Sequence, residues 1–355
     1  MKVLSVVGAR PQFVKLAPVG EALHRAGMEH VVVHTGQHYD ADMSDVFFAD
    51  LRIPAPDVAL AVGSGSHGAQ TGAMLAQVER VLVERRPDVV LVYGDTNSTL
   101  AGALAAVKLH VPVAHLEAGL RSFNRRMPEE HNRVLTDHCA DLLLAPTEVA
   151  MGHLADEGLA PRSVLVGDVM TDVCLRVRDA VTAAGGTGVA GLPDGGYVVA
   201  TIHRAENTDD PARLRGVLAS LDALPIPVVL AAHPRLRARV AEFGVTLGAG
   251  AIRVVDPFTY PEMVAAVLGS RGVVTDSGGL QKEAYILGRP CTTVRTETEW
   301  VETLADGWNV LAPEPEGLAA AVGRADPAAE RGTPYGDGRA AARVAEALSG
   351  LLADA

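Results

Sequence analysis

The chain has 355 residues, 48% hydrophobic and 21% charged, with 31 Lys and Arg against 43 Asp and Glu, a formal net charge of −12. This is the composition of a globular protein, not of a disordered chain, and the length accommodates two domains. The acidic balance argues against a general nucleic-acid binder, which needs a basic face, so an anionic ligand would have to be met by local cations and helix N-termini.

MKVLSVVGARPQ opens on an apolar run too short for a leader and reads as a first strand, Val3–Val7. Further β-branched runs follow at Val31–His34, Val89–Tyr93, Val111–Leu116, Leu142–Ala145, Tyr197–Ile202, Val228–Ala231, Ile252–Val255 and Val273–Thr275. Between them, Gly68–Arg86, Thr99–Leu109 and Ala212–Leu224 predict helices. Strands apolar on both faces that alternate with helices predict parallel sheets covered on each side, so the fold class is α/β. The Gly/Pro-rich stretch Ala183–Gly196 reads as a linker or surface loop beside a domain boundary. The boundary is expected at or before it, near Gly167, with Asp168–Val181 as a helix running between domains. The expected division is 1–167, 168–337 and a C-terminal helix in 338–355. No apolar run reaches the ~18 residues of a membrane span.

In open parallel sheets, ligands bind beyond the carboxyl ends of the strands. Here those ends are polar in both halves: Arg10 and Lys15, then Gln37 and His38, Asp95, Glu117, then His203, Arg204, Glu206 and Asn207, His233, and Asp276-Ser277-Gly278-Gly279. Two polar edges facing a cleft between domains are expected. Ser277-Gly278-Gly279 stands at a strand-to-helix turn, where free backbone N–H groups and a helix dipole hold an anion; a plain tight turn needs the same glycines. Glu283, about a turn further on, could accept from ribose hydroxyls.

Asp95, Glu117 and Glu129 are the candidate acid and base groups, the first two each closing a strongly apolar strand. Asp95 would equally serve as a helix N-cap, Glu117 as a partner of Arg121, and Glu129 as first-turn helix charge. His203 suits an acid, a base or a diphosphate donor. No HExxH, dinucleotide fingerprint, P-loop or serine-hydrolase motif occurs, so neither a metal site nor a nicotinamide cofactor is expected. Cys139, Cys174 and Cys291 contain no CxxC, which fits a reducing cytoplasm.

VVGARPQFVKLAP, HTGQHYD, VYGDTNSTLAGALAA, VAHLEAGLRSF, MPEEHNRVLTDH, ATIHRAENTDD and TDSGGLQKEA occur in this order, and YGDG follows at Tyr335–Gly338. Together they resemble the non-hydrolysing UDP-N-acetylglucosamine 2-epimerases over most of the chain. The resemblance implies a GT-B fold of two Rossmann-like domains, a UDP-sugar substrate, no cofactor and a homodimer. It implies that Asp95, Glu117 and Glu129 are catalytic, with His203 a catalytic or substrate contact. It gives Arg10, Ser277, Gly278 and Gly279 to the diphosphate, Glu283 to the ribose, and Pro257, Phe258 and Met263 to the uracil. Many members carry Thr-Glu-Arg-Pro-Glu near the substrate, where this chain has Thr298-Glu299-Trp300-Val301-Glu302. That form is similar to a branch that includes UDP-2,3-diacetamido-glucuronate 2-epimerases. Members regulated by their own substrate carry a second glutamine after Gln-His, where this chain continues Gln37-His38-Tyr39-Asp40. The implied chemistry is loss of UDP from C1 with removal of the C2 proton, then re-addition. A retaining glycosyltransferase of the same fold and a hydrolysing epimerase that releases the free sugar are the competing readings.

Overall fold

The computed structural model describes residues 1–37, 55–248 and 250–351. The chain divides into two compact units, Met1–Val173 with Pro334–Ala355, and Cys174–Thr333.

The first unit is built on strands β1 (Lys2–Val7), β2 (Glu29–His34), β3 (Val58–Ala59), β4 (Val89–Tyr93), β5 (Val113–Leu116), β6 (Leu142–Ala145) and β7 (Ser163–Leu165). They form one sheet in the order β3-β2-β1-β4-β5-β6-β7, and every pairing is parallel. All five residues of β4 are buried, which is why the run VVLVY carries no polar alternation. The expected strand from Val111 starts only at Val113, since Pro112 has no N–H to give to a ladder. Strands β3 and β7 lie at the two edges and are too short to show a pattern in sequence.

One face of this sheet packs on Leu16, Val19 and Leu23 of the Arg10–Arg25 helix. Val344, Ala345 and Leu348 of the Ala340–Leu351 helix join the same core. Asp172 caps that last helix, accepting from the N–H groups of Ala340 at 3.0 Å and Ala341 at 2.8 Å.

The second unit carries β8 (Val198–Thr201), β9 (Val228–Ala231), β10 (Ile252–Val255), β11 (Gly272–Thr275), β12 (Cys291–Thr293) and β13 (Asn309–Leu311). Their order is β10-β9-β8-β11-β12-β13, again all parallel. Leu214, Val217, Leu218 and Leu221, one stripe of the Pro211–Asp222 helix, fill one face.

In each sheet the winding reverses once, between β1 and β4 and between β8 and β11. At such a reversal the two outgoing connections diverge and leave a crevice at the strand carboxyl ends. Gly8 and Gly94 follow β1 and β4, and His203 and Asp276 follow β8 and β11, so the topology alone gathers these residues in each unit. No helix among the described residues is long and apolar enough to cross a membrane.

Candidate active-site residues in the two units

In the first unit the close approach of backbone sets the frame. A Cβ on Gly8 would fall 2.0 Å from Thr35 Oγ1 and 2.2 Å from Ser98 Oγ, so only glycine fits. The Gln12 carboxamide then stitches the crevice. Its oxygen accepts from Gly8 N at 2.7 Å and Ala9 N at 3.0 Å, and its nitrogen donates to the Tyr93 carbonyl at 2.7 Å and to Thr96 and Thr99.

Thr96, not Asp95, caps the Asn97–Lys108 helix, its hydroxyl accepting from Thr99 N. Asp95 is thereby left to pair with Arg133, whose Nε is 3.1 Å from Oδ2. Asn132, one residue earlier on the Pro128–Cys139 helix, donates to the Asp95 carbonyl at 3.0 Å. Glu117 does not meet Arg121. Its carboxylate pairs with Lys15, with side-chain exposures of 11% and 9%. Burial opposes charge on Lys15, but the Glu117 carboxylate, joined by the charges of Asp168 and Asp95, outweighs it and raises the pKa above the ordinary lysine value. Glu117 holds φ +73°, a left-handed conformation that costs a residue with a Cβ about 1–3 kcal/mol and collects at functional sites.

Glu129 is exposed in the first turn of its helix, while Glu130 turns inward. Glu130 accepts from Ser122 N, Ser122 Oγ and Phe123 N, each at 2.9 Å, and from Arg133. Burial would raise its carboxyl pKa, but these donors outweigh that and hold it below the usual range. Gln37 is committed internally, its side-chain oxygen accepting from Ser98 N and Oγ at 3.0 and 2.7 Å. Arg10 opens the Arg10–Arg25 helix. His38 lies outside the described residues.

In the second unit Asp276 is the hub. Its buried carboxylate accepts from His203 N, Arg204 N and Asn207 Nδ2 at 3.1 Å or less, and Oδ1 lies 3.1 Å from His203 Nδ1. The His203 ring lies tilted by 35° against that of His233, with centroids 5.3 Å apart, and His233 itself caps the Pro234–Glu242 helix. Asn207 also donates to the Val294 carbonyl and is structural, and Glu206 is exposed.

Ser277 caps the nine-residue Gly278–Ile286 helix. A Cβ on Gly278 would come 2.5 Å from Glu299 Oε1. Arg295 fixes that carboxylate at 2.9 Å; burial would raise its pKa, but Arg295, a backbone N–H and the Arg204 charge together outweigh it and the shift is downward. Glu283, buried in the same helix, adds its charge to burial in raising the pKa of the Tyr260 hydroxyl. Phe258 and Met263 pack half-buried on the Tyr197, Val199 and Val229 cluster, and Pro257 is exposed. At the position where the family resemblance leads one to expect arginine, Trp300 takes the Lys282 ammonium over its ring, 3.7 Å from the centroid. Residue types alone did not single out Gln12, Arg133 or Lys282, because each gains its role from a partner distant in sequence, nor Glu130, whose partners Ser122, Phe123 and Arg133 are gathered by the turn before its helix.

The family model for UDP-N-acetylglucosamine 2-epimerase matches residues 21–349. The chain belongs to this family. It is similar to UDP-2,3-diacetamido-2,3-dideoxy-D-glucuronate 2-epimerase of Pseudomonas aeruginosa, 47% identical over 99% of this chain and 100% of the relative. It is also similar to UDP-N-acetylglucosamine 2-epimerase of Methanocaldococcus jannaschii, 39% identical over 98% of this chain and 99% of that one. The crystal structure of the latter enzyme with UDP-GlcNAc and UDP superposes with a TM-score of 0.85 at 38% identity, covering 98% of this chain and 99% of that one. The Neisseria meningitidis UDP-GlcNAc 2-epimerase bound to UDP-GlcNAc gives 0.86 at 28% identity, covering 99% of this chain and all of that one. The fold is GT-B, with two Rossmann-like parallel sheets, and the protein is an epimerase of the isomerase class.

Proposed function

We propose that this epimerase inverts C2 of UDP-2,3-diacetamido-2,3-dideoxyglucuronate. The observation that carries the choice of sugar is the 47% identity, over essentially the whole of both chains, to the Pseudomonas aeruginosa enzyme of that name. The Trp300 substitution and its Lys282 partner support it, since they mark a departure from the arginine-bearing members. UDP-N-acetylglucosamine is the second reading, favoured by the family as a whole and by the Methanocaldococcus jannaschii relative.

The C2 proton of such a sugar is not acidic, so direct removal is very unfavourable. A base takes it as the C1–O bond to the diphosphate breaks, giving a glycal and UDP. A proton from a second acid group, exchangeable with solvent, is then delivered to the opposite face of C2 as a diphosphate oxygen re-forms the bond to C1. Two faces require more than one acid or base, and Asp95, Glu117 and the exposed Glu129 are assigned to this work. His203 has Nδ1 committed to Asp276, which leaves Nε2 for the departing diphosphate. Arg10 and the amides at Ser277-Gly278-Gly279 neutralise the same charge. Lys15, as the partner of Glu117, holds that carboxylate rather than the substrate. Arg204, Glu206, His233 and Glu299 are assigned to substrate binding, with Asn207 bracing Asp276, Glu283 takes the ribose, and Pro257, Phe258 and Met263 the uracil. No step calls for a nicotinamide or a metal. A homodimer is implied by the same resemblance, and a cytoplasmic location goes with the free thiols of Cys139, Cys174 and Cys291.

Incubation with each UDP-sugar in D2O, followed by NMR at C2, tests the reading. Deuterium at C2 together with the epimeric product is expected with the diacetamido-glucuronate. Exchange with UDP-GlcNAc alone would transfer the assignment to that sugar. Release of free sugar, or turnover only with an added acceptor, would replace epimerisation by hydrolysis or glycosyl transfer.

A further inference from the structure

The first unit contains a buried ion network that the chemistry above does not use. His115 lies on β5, two residues before Glu117, and is fully buried. Its Nδ1 is 2.6 Å from Asp137 Oδ1 and its Nε2 is 2.7 Å from the Gly94 carbonyl oxygen. Both partners are acceptors. A carbonyl oxygen has no proton to give, and the Asp137 carboxylate is held in its charged form by the Arg121 guanidinium at 2.7 Å and the Gly119 N–H at 3.1 Å, both on Oδ2. A neutral imidazole would point a lone pair at one of these oxygens at under 3 Å.

The charge count agrees. Asp137 Oδ2 accepts from Arg121 at 2.7 Å and from Gly119 N at 3.1 Å. The other two guanidinium nitrogens meet Glu157 at 2.7 and 2.8 Å, and the half-exposed His138 lies on the same carboxylate. Two carboxylates share the Arg121 cation, and a protonated His115 adds a second cation at the buried end, beside Asp137.

We propose that His115 is a buried imidazolium that acts as a positioning residue, gripping the Gly94 carbonyl and so fixing the turn that carries Asp95. The inference rests on the assignment of Asp95 to proton transfer. Gly94 stands at φ +59° directly before Asp95, and its N–H is held by the Leu116 carbonyl at 2.9 Å. The carboxylate of Asp95 is held from the far side by Arg133, so the turn is pinned at its backbone by one buried cation and at its side chain by another.

The test uses the full chain with 15N-labelled histidine at about pH 8, where a solvated imidazole is neutral. His115 is expected to show two protonated ring nitrogens with slow solvent exchange, assigned by their loss in His115→Gln. A non-protonated ring nitrogen at His115 in the wild type overturns the proposal whether or not the variants fold. His115→Gln keeps an amide donor but loses the charge, and Asp137→Asn removes the counter-charge. In each, kcat should fall ~10-fold or more with KM changed less than about twofold, the pattern of a misplaced reacting group. Either variant, folded and turning over like the wild type, also overturns it. Asp95→Asn separates the two ideas: wild-type kcat there removes Asp95 from the chemistry, while the His115 resonances still report whether the imidazolium exists.

Discussion

The Lys15 ammonium rests on the Glu117 carboxylate at the carboxyl edge of the first sheet, and the two side chains are only 9% and 11% exposed. They are far apart in sequence, on the first helix and after the fifth strand. Removing either partner strands a charge in a desolvated place. Lys15→Met is expected to cost about 3–5 kcal/mol in denaturant unfolding, with the double variant Lys15→Met/Glu117→Leu recovering part of the loss. A double variant no more stable than the single one would show that the pair is not the cause.

The same pair sets an alkaline limit. The Lys15 pKa is raised above its ordinary 10.5, so the unfolded chain releases this proton at lower pH than the folded protein. The contribution of Lys15 to stability is therefore complete below about pH 10.5 and is lost as pH rises through the higher folded value. The stability gap between wild type and Lys15→Met should be flat from neutral pH to about pH 9 and close only in the strongly alkaline range. A gap that closes between pH 6 and 8 would contradict this.

Glu130 works in the opposite direction. Its folded pKa lies below the ordinary 4.5, so its contribution is present above that value and is lost as pH falls through the folded one. Glu130→Gln should cost about 1–3 kcal/mol at neutral pH and make the acid limb of the stability curve shallower. An unchanged acid limb would show that the four donors around this carboxylate contribute no net preference for its charged form.

Gly8→Ala places a methyl group inside the Thr35 and Ser98 hydroxyls. Overpacking at so close a contact should cost about 1–3 kcal/mol and lower the Tm. Because Ser98 also holds Gln37, the strain should spread to the start of the Asn97–Lys108 helix, which amide hydrogen exchange would detect. A wild-type Tm would mean that the backbone yields there at little cost.

Gly278→Ala and Gly279→Ala form a matched pair. The first new Cβ meets Glu299 Oε1 at 2.5 Å, and the second finds nothing nearer than Ser277 Oγ at 4.0 Å. Glu299 is held by Arg295, so its displacement should disturb the N-terminus of the Gly278–Ile286 helix. Calorimetry with UDP should give about tenfold weaker binding for Gly278→Ala, or ~1.4 kcal/mol, and a smaller loss for Gly279→Ala. Equal affinities in both variants would remove this helix from the diphosphate site.

The alternation of apolar runs and helices was sufficient to define the α/β class and nine of the thirteen strands among the described residues, because a parallel strand buried on both faces must be apolar along its length. Motif order was sufficient for the family. The strands β3, β7, β12 and β13 escaped because two or three residues carry no period. The pairings of the acidic groups were not legible either. Arg121 stands four residues from Glu117 but turns to Asp137 and Glu157, while Lys15 comes from the first helix to take its place. Local spacing names candidates; which cation meets which carboxylate depends on strand order and on the desolvation cost of leaving either alone. Thus the sequence determined the residue types at each strand end, through hydrophobic pattern and turn chemistry. Only the tertiary structure decided their partners, because those contacts are made between residues that the winding of the sheet, and not the chain, brings together.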